Sequence, residues 1–144
     1  MIFNENNKRL SFIICGYQYP QHNVLKNEYD YDANWLNCEF KFFENDNEKT
    51  CVDPCLTTSE LSEFIIELSD VIDGQKTSYV SNFMEPYLEI NVERLDNKIS
   101  FKIQFKYDSR AGGKSWEVTS LVEIEQAIKF LNELKDFQRF YPER

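Results

Sequence analysis

The residues that could do acid–base chemistry in this chain gather in one short polar stretch. Glu28, Asp30 and Asp32 alternate there with Tyr29 and Tyr31. Closely spaced carboxylates can act as a general acid and a general base once their pKa values are driven apart. Nothing in the sequence raises one of these pKa values above another. An enzymatic or small-ligand-binding α+β domain that uses the region from Asp30 to Asp32 is therefore an alternative function.

Other nucleophiles and metal ligands lack the partners that their chemistry needs. His22 is the only histidine, and Cys51 and Cys55 are separated by three residues with no second ligand pair beside them. Cysteines in a chain of this length without an export signal are expected to be reduced thiols, with Cys15 and Cys38 buried as small hydrophobic residues. We predict that the protein is not an enzyme and has no catalytic residue, metal site or cofactor.

Two stretches have the composition of a protein-recognition surface. In the polar stretch, tyrosine rings supply rigid contact area and carboxylates favour a basic partner, although the rings could instead pack in the core. In a predicted helix further on, acidic residues fall within an arc of about 80°, either as a contact surface or as a solvated face. The predicted partner-binding residues are Tyr29, Asp30, Tyr31 and Asp32 in the first stretch and Glu60, Glu63, Glu67 and Asp70 in the second.

The composition limits the class of partner and the compartment. The chain has 144 residues with a formal net charge of −9, so nucleic acid and anionic membranes are disfavoured as direct partners and a basic protein is favoured. The longest early apolar run, Phe12 to Cys15, is too short for a signal-peptide core or a membrane-spanning helix. We therefore expect a cytoplasmic protein.

Hydrophobic periodicity predicts the elements of the first half. The segments Leu10 to Tyr17 and Trp35 to Phe43 have the β-branched and aromatic composition of strands, and Cys51 to Leu56 predicts a short third strand. Trp35 is expected to anchor the first hairpin in the core. A helix is predicted from Thr57 to Asp73, opened by a capping box with Glu60.

The second half repeats the order of strands followed by a helix. Leu88 to Val92 and Ile99 to Tyr107 alternate in hydrophobicity and predict a hairpin, and Ser115 to Thr119 predicts a further strand. A second helix is predicted to begin at Ser120, with Glu123 as its capping-box partner. The fold class is therefore α+β, with one antiparallel sheet of about five to six strands covered by two helices. We expect a single domain over residues 1–144.

Two segments resemble the WapI family of bacterial immunity proteins. The first runs from Leu10 to Pro20 and contains Gly-Tyr-Gln-Tyr-Pro. The second runs from Asp30 to Leu36 and reads Asp-Tyr-Asp-Ala-Asn-Trp-Leu, and the stretch from Phe83 to Glu89 is a less specific third. The resemblance implies an immunity protein that binds and neutralises the C-terminal toxin domain of a contact-dependent, polymorphic bacterial toxin.

The toxin of the original family member is a tRNA-cleaving nuclease, and a nuclease is the toxin class that the resemblance implies first. A nuclease must hold polyanionic RNA in a basic cleft, so an acidic protein can occupy the same cleft and be steered to it by charge. The net charge of −9 therefore agrees with this expectation.

Overall fold

A computed structural model describes residues 1–21, 30–45, 47–106 and 114–144, and for Tyr31 it describes the backbone alone. Within these ranges the chain forms eight strands and three helices. In chain order they are β1 (Ile2–Glu5), β2 (Lys8–Tyr17), α1 (Tyr31–Asn34), β3 (Trp35–Glu44), β4 (Asn47–Thr57), α2 (Thr58–Ile72), β5 (Ser78–Val80), β6 (Leu88–Leu95), β7 (Lys98–Lys106), β8 (Ser115–Glu123) and α3 (Ile124–Phe140).

The α+β class is confirmed, but the expectation of a single sheet with five to six strands and two helices is wrong in detail. The strands form two antiparallel sheets of four strands each, in the orders β1-β2-β3-β4 and β5-β6-β7-β8. Three strand or helix elements were not predicted, namely β1, β5 and the single-turn helix α1. Each has only three or four residues, which is too short for hydrophobic periodicity to show.

Aromatic rings join the two sheets face to face. Phe40 of β3 stacks on Phe105 of β7 with ring centroids 3.9 Å apart, and Phe42 stacks on Trp116 of β8 at 5.3 Å. Phe3 of β1 contacts Phe101 of β7 at 5.4 Å. Each pair links the first sheet to the second, so the inward faces of both sheets enclose one hydrophobic core.

Two hydrogen bonds also join the edge strand β1 of the first sheet to the edge strand β8 of the second. The backbone N–H of Asn4 donates to the hydroxyl of Ser120 at 3.2 Å, and the N–H of Thr119 donates to the carboxylate of Glu5 at 3.1 Å. These bonds satisfy outward backbone donors of β1 and β8, which would otherwise be free sheet edges.

The predicted start of the second long helix is wrong. Ser120 and Glu123 belong to β8, where Ser120 is opposite Phe101 and Glu123 is opposite Lys98. The helix α3 begins only at Ile124, and its N-cap residue makes no side-chain capping bond. Pairing with β7 and the bond from Asn4 to Ser120 stabilise the extended conformation more than a capping box would stabilise a helix there.

Candidate partner-binding surface

The capping box predicted for the first long helix fixes where α2 begins. The N–H of Thr57 donates to Glu60 Oε2 at 2.7 Å, and the N–H of Glu60 donates to Thr57 Oγ1 at 3.3 Å. Behind this cap, the face that carries Leu61, Phe64 and Leu68 is buried. The opposite side of the helix must therefore face solvent.

The four predicted acids lie along one side of α2, which we call the acidic ridge (Glu60, Glu63, Glu67 and Asp70). Glu60 is half-buried and its second carboxylate oxygen accepts the N–H of Met84. Glu67 and Asp70 both contact Lys76 Nζ, at 2.6 Å and 3.4 Å. Glu63 is exposed and has no ion pair within the described parts of the chain. The ridge therefore keeps a net negative charge after its internal contacts.

The ridge acts on Tyr79 of the neighbouring strand β5. The Tyr79 ring is half-buried and stacks on Phe64 of α2, with ring centroids 5.9 Å apart. Burial, followed by the negative charges of Glu63, Glu67 and Glu60, raises the pKa of the Tyr79 hydroxyl to about 12. Three ridge carboxylates therefore act together with burial to disfavour ionisation of one hydroxyl group.

Exposed apolar side chains accompany the ridge. Ile66 of α2 is 59% exposed, and Met84, whose N–H binds Glu60, is 55% exposed. Val80 of β5 is 61% exposed but alternates with Tyr79, so it lies on the opposite face of the strand. Apolar side chains surrounded by charge are typical of protein-recognition surfaces. Sequence reasoning missed this part of the surface, although the β-branched and aromatic types of Tyr79 and Val80 were a signal for a strand.

The second predicted surface, Tyr29 to Asp32, is only partly described. Tyr29 and the side chain of Tyr31 lie outside the described residues, as do His22 and Glu28. Asp30 is the N-cap of α1, and its carboxylate accepts the N–H of Ala33 at 3.3 Å. Asp32 is exposed. One carboxylate of the proposed Asp30–Asp32 chemistry is therefore engaged in holding the backbone.

Asn34, at the end of α1, fastens three parts of the chain together. The side chain is fully buried, and its Oδ1 accepts the hydroxyl of Thr58 at 2.8 Å and the N–H of Arg144 at 2.9 Å. Its Nδ2 donates to the carbonyl oxygens of Asp30 and Arg144. This hub joins the end of α1 to Thr58 in the first turn of α2, two residues before Glu60 of the ridge.

Trp35 differs from the expectation. Its side chain is only half-buried and does not belong to the group packed against the core, so it does not anchor the first hairpin. The buried tryptophan is Trp116, which is 5% exposed and contacts both Phe42 and Phe105. The sequence contained the signal for this, because Leu36, Cys38, Phe40 and Phe42 alternate with polar residues and Trp35 falls on the polar face of β3.

Tyr17 binds the C-terminal tail. Its hydroxyl donates to the carbonyl of Pro142, and the guanidinium of Arg144 lies 3.5 Å from the centroid of its ring. The Gly-Tyr-Gln-Tyr-Pro segment thus holds the end of the chain, together with Asn34. Both segments that carry the family resemblance are structural at these positions.

The basic residues of β7 are largely neutralised by their neighbours. Lys98 Nζ lies 2.8 Å from Glu123, and Lys102 Nζ lies 3.5 Å from Glu117, across the pair of strands β7 and β8. The outward face of the second sheet therefore carries mixed charge. The acidic ridge, by contrast, carries mainly negative charge.

The cysteines are free, as two buried and two accessible thiols. Cys38 and Cys55 are buried, while Cys51 is half-buried and Cys15 is exposed, so the expectation of a buried Cys15 is wrong. Burial and contact with Cys38 raise the pKa of the Cys55 thiol well above its ordinary value, which keeps it unreactive. Within the described ranges, no group of three or more His, Cys, Asp and Glu side chains could hold a metal ion.

A separate open cleft of about 700 Å³ lies between the tip of the β3–β4 hairpin and the start of β8. Phe42 and Trp116 contribute apolar surface to it, and lysines and glutamates of both signs surround them. Neither the ridge nor Asp30 and Asp32 line this cleft. No helix of the described chain is both long and apolar enough to cross a bilayer.

These features define the class as an acidic α+β protein, built from two antiparallel sheets, with a one-sided charged surface on a helix. The sequence model of the immunity protein WapI-like family matches residues 1–142. The chain therefore belongs to this family of immunity proteins. Comparisons with curated proteins and with solved structures find no match.

Proposed function

We propose that this protein binds and neutralises the C-terminal toxin domain of a polymorphic, contact-dependent bacterial toxin, acting as a single domain in the cytoplasm. Family membership across residues 1–142 supports the immunity role, which requires binding and no reaction. The charge of −9 supports a basic toxin domain, with a nuclease as the first class, and argues against direct binding of nucleic acid or membrane.

The observation that carries the site is the acidic ridge on α2. Its carboxylates lie on a rigid, capped helix, and Glu63 is exposed without an ion partner in the described structure. Long-range attraction between such a surface and a basic cleft raises the association rate constant. The segment Tyr29, Asp30, Tyr31 and Asp32 is proposed as a second part of the contact; the bond between Asn34, at the end of α1, and Thr58, in the first turn of α2, supports this.

A charge reversal tests the site. The probe is the toxin domain encoded beside the gene for this chain, mixed with the purified protein in stopped-flow experiments at low and high salt. We expect Glu63→Lys to slow association several-fold at low salt and to weaken the dependence on salt, since the reversed charge repels a basic partner and salt screens that effect.

Glu48→Lys is the matched control. Glu48 is also exposed on the described structure, and the same substitution changes the net charge equally. It is the second residue of β4, at the end of the strand that is farther along the chain from α2. Equal slowing by both variants would show that net charge alone matters and would move the contact away from the ridge.

Toxin activity separates the immunity role from the nuclease class. We expect an equimolar amount of the protein to abolish the RNA-cleaving activity of the toxin domain. A toxin domain that binds the protein but cleaves no nucleic acid would overturn the nuclease assignment and leave the immunity role in place. A small molecule that raised the melting temperature, combined with no toxin binding, would instead favour a ligand-binding protein.

A further inference from the structure

The outer edge of β5 carries backbone groups that are free to pair with another chain. The N–H of Arg94 donates to the carbonyl of Thr77 at 2.8 Å, and the N–H of Ser81 donates to the carbonyl of Ile90 at 2.9 Å. Hydrogen-bonded residues alternate along an antiparallel pair. The N–H and C=O groups of Ser78 and Val80 therefore point away from β6, and within the described residues they have no hydrogen-bond partner.

The other sheet edges are less suited to a new strand. Side chains of Glu5 and Ser120 close β1 and β8 against each other. The remaining edge, β4, contains Pro54, which has no N–H to donate. Glu48 and Lys49 also give that edge charges of both signs. β5 is therefore the edge that combines free backbone groups with a surrounding of net negative charge.

The position of the acidic ridge predicts the side chains of the incoming strand. Tyr79 points to the α2 side of the sheet, where it stacks on Phe64 and is influenced by Glu60, Glu63 and Glu67. A strand added beside β5 would lie about 4.8 Å further out. Every second side chain of that strand would face the same side as Tyr79, toward the ridge.

We propose that an extended, basic segment of the toxin domain adds to this protein as a strand beside β5. Its backbone pairs with Ser78 and Val80, and a lysine or arginine side chain on the α2 side meets the carboxylate of Glu63. The exposed side chains of Val80 and Met84 provide apolar contact. This inference rests on the proposed function, and it specifies how the partner binds.

The contacts of Lys76 show how the ridge binds an ammonium group. Its Nζ lies 2.6 Å and 2.7 Å from the two carboxylate oxygens of Glu67. These bonds with Glu67, followed by those with Asp70, raise the pKa of Lys76 against the opposing effect of desolvation. A lysine of the partner can bind Glu63, which lies one turn of helix before Glu67, in the same manner.

Proline at position 80 removes the donor that the new strand needs. Because the N–H of Val80 makes no bond to β6, Val80→Pro leaves the pairing of β5 with β6 intact and places a proline ring on the free edge. We expect this variant to melt close to the wild-type temperature and to bind the adjacently encoded toxin domain about tenfold more weakly or worse.

Val52→Pro on β4 is the matched control. Phe12 of β2 points its backbone N–H toward β1, where it donates to the carbonyl of Met1. The direction of the N–H alternates from residue to residue, and the registers of β2 with β3 and of β3 with β4 extend this alternation to β4. The N–H of Val52 therefore points to the free edge of β4. Val52 is 54% exposed, close to the 61% of Val80. We expect its binding to the toxin domain to stay within about twofold of wild type.

Amide hydrogen exchange measured by NMR tests the pairing in the wild-type protein, so the result does not depend on how a variant folds. We expect the amides of Ser78 and Val80 to exchange rapidly in the free protein and slowly in the complex, while the amide of Val52 is unchanged. A complex without protection at these two amides, or equal weakening by both proline variants, would overturn the β5 inference and leave the immunity function standing. Absence of any complex would overturn both.

Discussion

At the scale of single residues, the family-like segments are occupied with holding the chain together. Asp30 caps α1, Ala33 and Leu36 are fully buried, and Asn34 bonds to both α2 and the tail. A toxin partner cannot contact side chains that are buried in this way. These buried residues therefore encode the framework, and we propose that the partner-specific contacts lie on the exposed ridge and on the segment from Tyr29 to Asp32.

Replacing Asn34 tests the hub. Asn34→Ala leaves the hydroxyl of Thr58 and the N–H of Arg144 without the oxygen that accepts their hydrogen bonds. It also leaves the carbonyls of Asp30 and Arg144 without the amide group that donates to them. Buried polar groups that lose their partners are costly, so we expect the free energy of unfolding to fall by about 2–3 kcal/mol. Denaturant unfolding measures this loss, with Asn37→Ala, a half-buried asparagine of β3, as the comparison. Equal effects of the two variants would contradict the role of the hub.

At the scale of elements, α2 and β5 are coupled through charge. The helix carries Phe64 toward Tyr79 and carries the ridge carboxylates close to the same tyrosine. The neutral form of a phenol is favoured in such a place, since ionisation would add a negative charge to a half-buried site that already faces carboxylates. The titration of Tyr79 therefore reports on the packing of the two elements.

The raised pKa of Tyr79 predicts a loss of stability in alkaline solution. The folded state holds this proton up to about pH 12, while an unfolded tyrosine releases it near pH 10. The contribution of Tyr79 is therefore complete below about pH 10 and is lost as the pH rises toward 12. Unfolding experiments across this range should show a steeper loss for wild type than for Tyr79→Phe. Parallel profiles would show that Tyr79 titrates normally.

At the scale of the whole molecule, aromatic stacking between the sheets makes one core from two sheets. Phe40, Phe42 and Phe3 from the first sheet meet Phe105, Trp116 and Phe101 from the second. The buried residues of both sheets, α2 and α3 belong to the same cluster. We therefore expect unfolding to be a single cooperative transition, because neither sheet can keep its inner face covered alone.

The two tryptophans provide a matched pair for this core. Trp116→Ala should lower the free energy of unfolding by about 3–5 kcal/mol, because it removes a buried ring that bridges the sheets. Trp35→Ala should cost clearly less, since the Trp35 ring is half-buried and lies outside the core cluster. Thermal and denaturant unfolding of both variants measure the difference. A larger loss from Trp35→Ala would contradict the assignment of Trp116 as the core residue.

The sequence by itself determined the elements whose stability is local. The capping box of Thr57 and Glu60, the amphipathic periodicity of α2 and the alternation along β6 and β7 are properties of neighbouring residues, and the structure has them as predicted. The acidic ridge follows from the same helical periodicity, so its four carboxylates could be grouped before the fold was known.

Only the tertiary structure decided the features that depend on residues distant in sequence. The bond from Asn4 to Ser120 and the pairing of β8 with β7 make a strand of a segment that has the pattern of a capping box. The Asn34 hub joins residues separated by more than a hundred positions. β5 likewise has a free edge because, within the described residues, it pairs with β6 on one side only. Hydrogen bonding and burial between distant segments override local preference at these positions, and a single sequence contains no signal for such contacts.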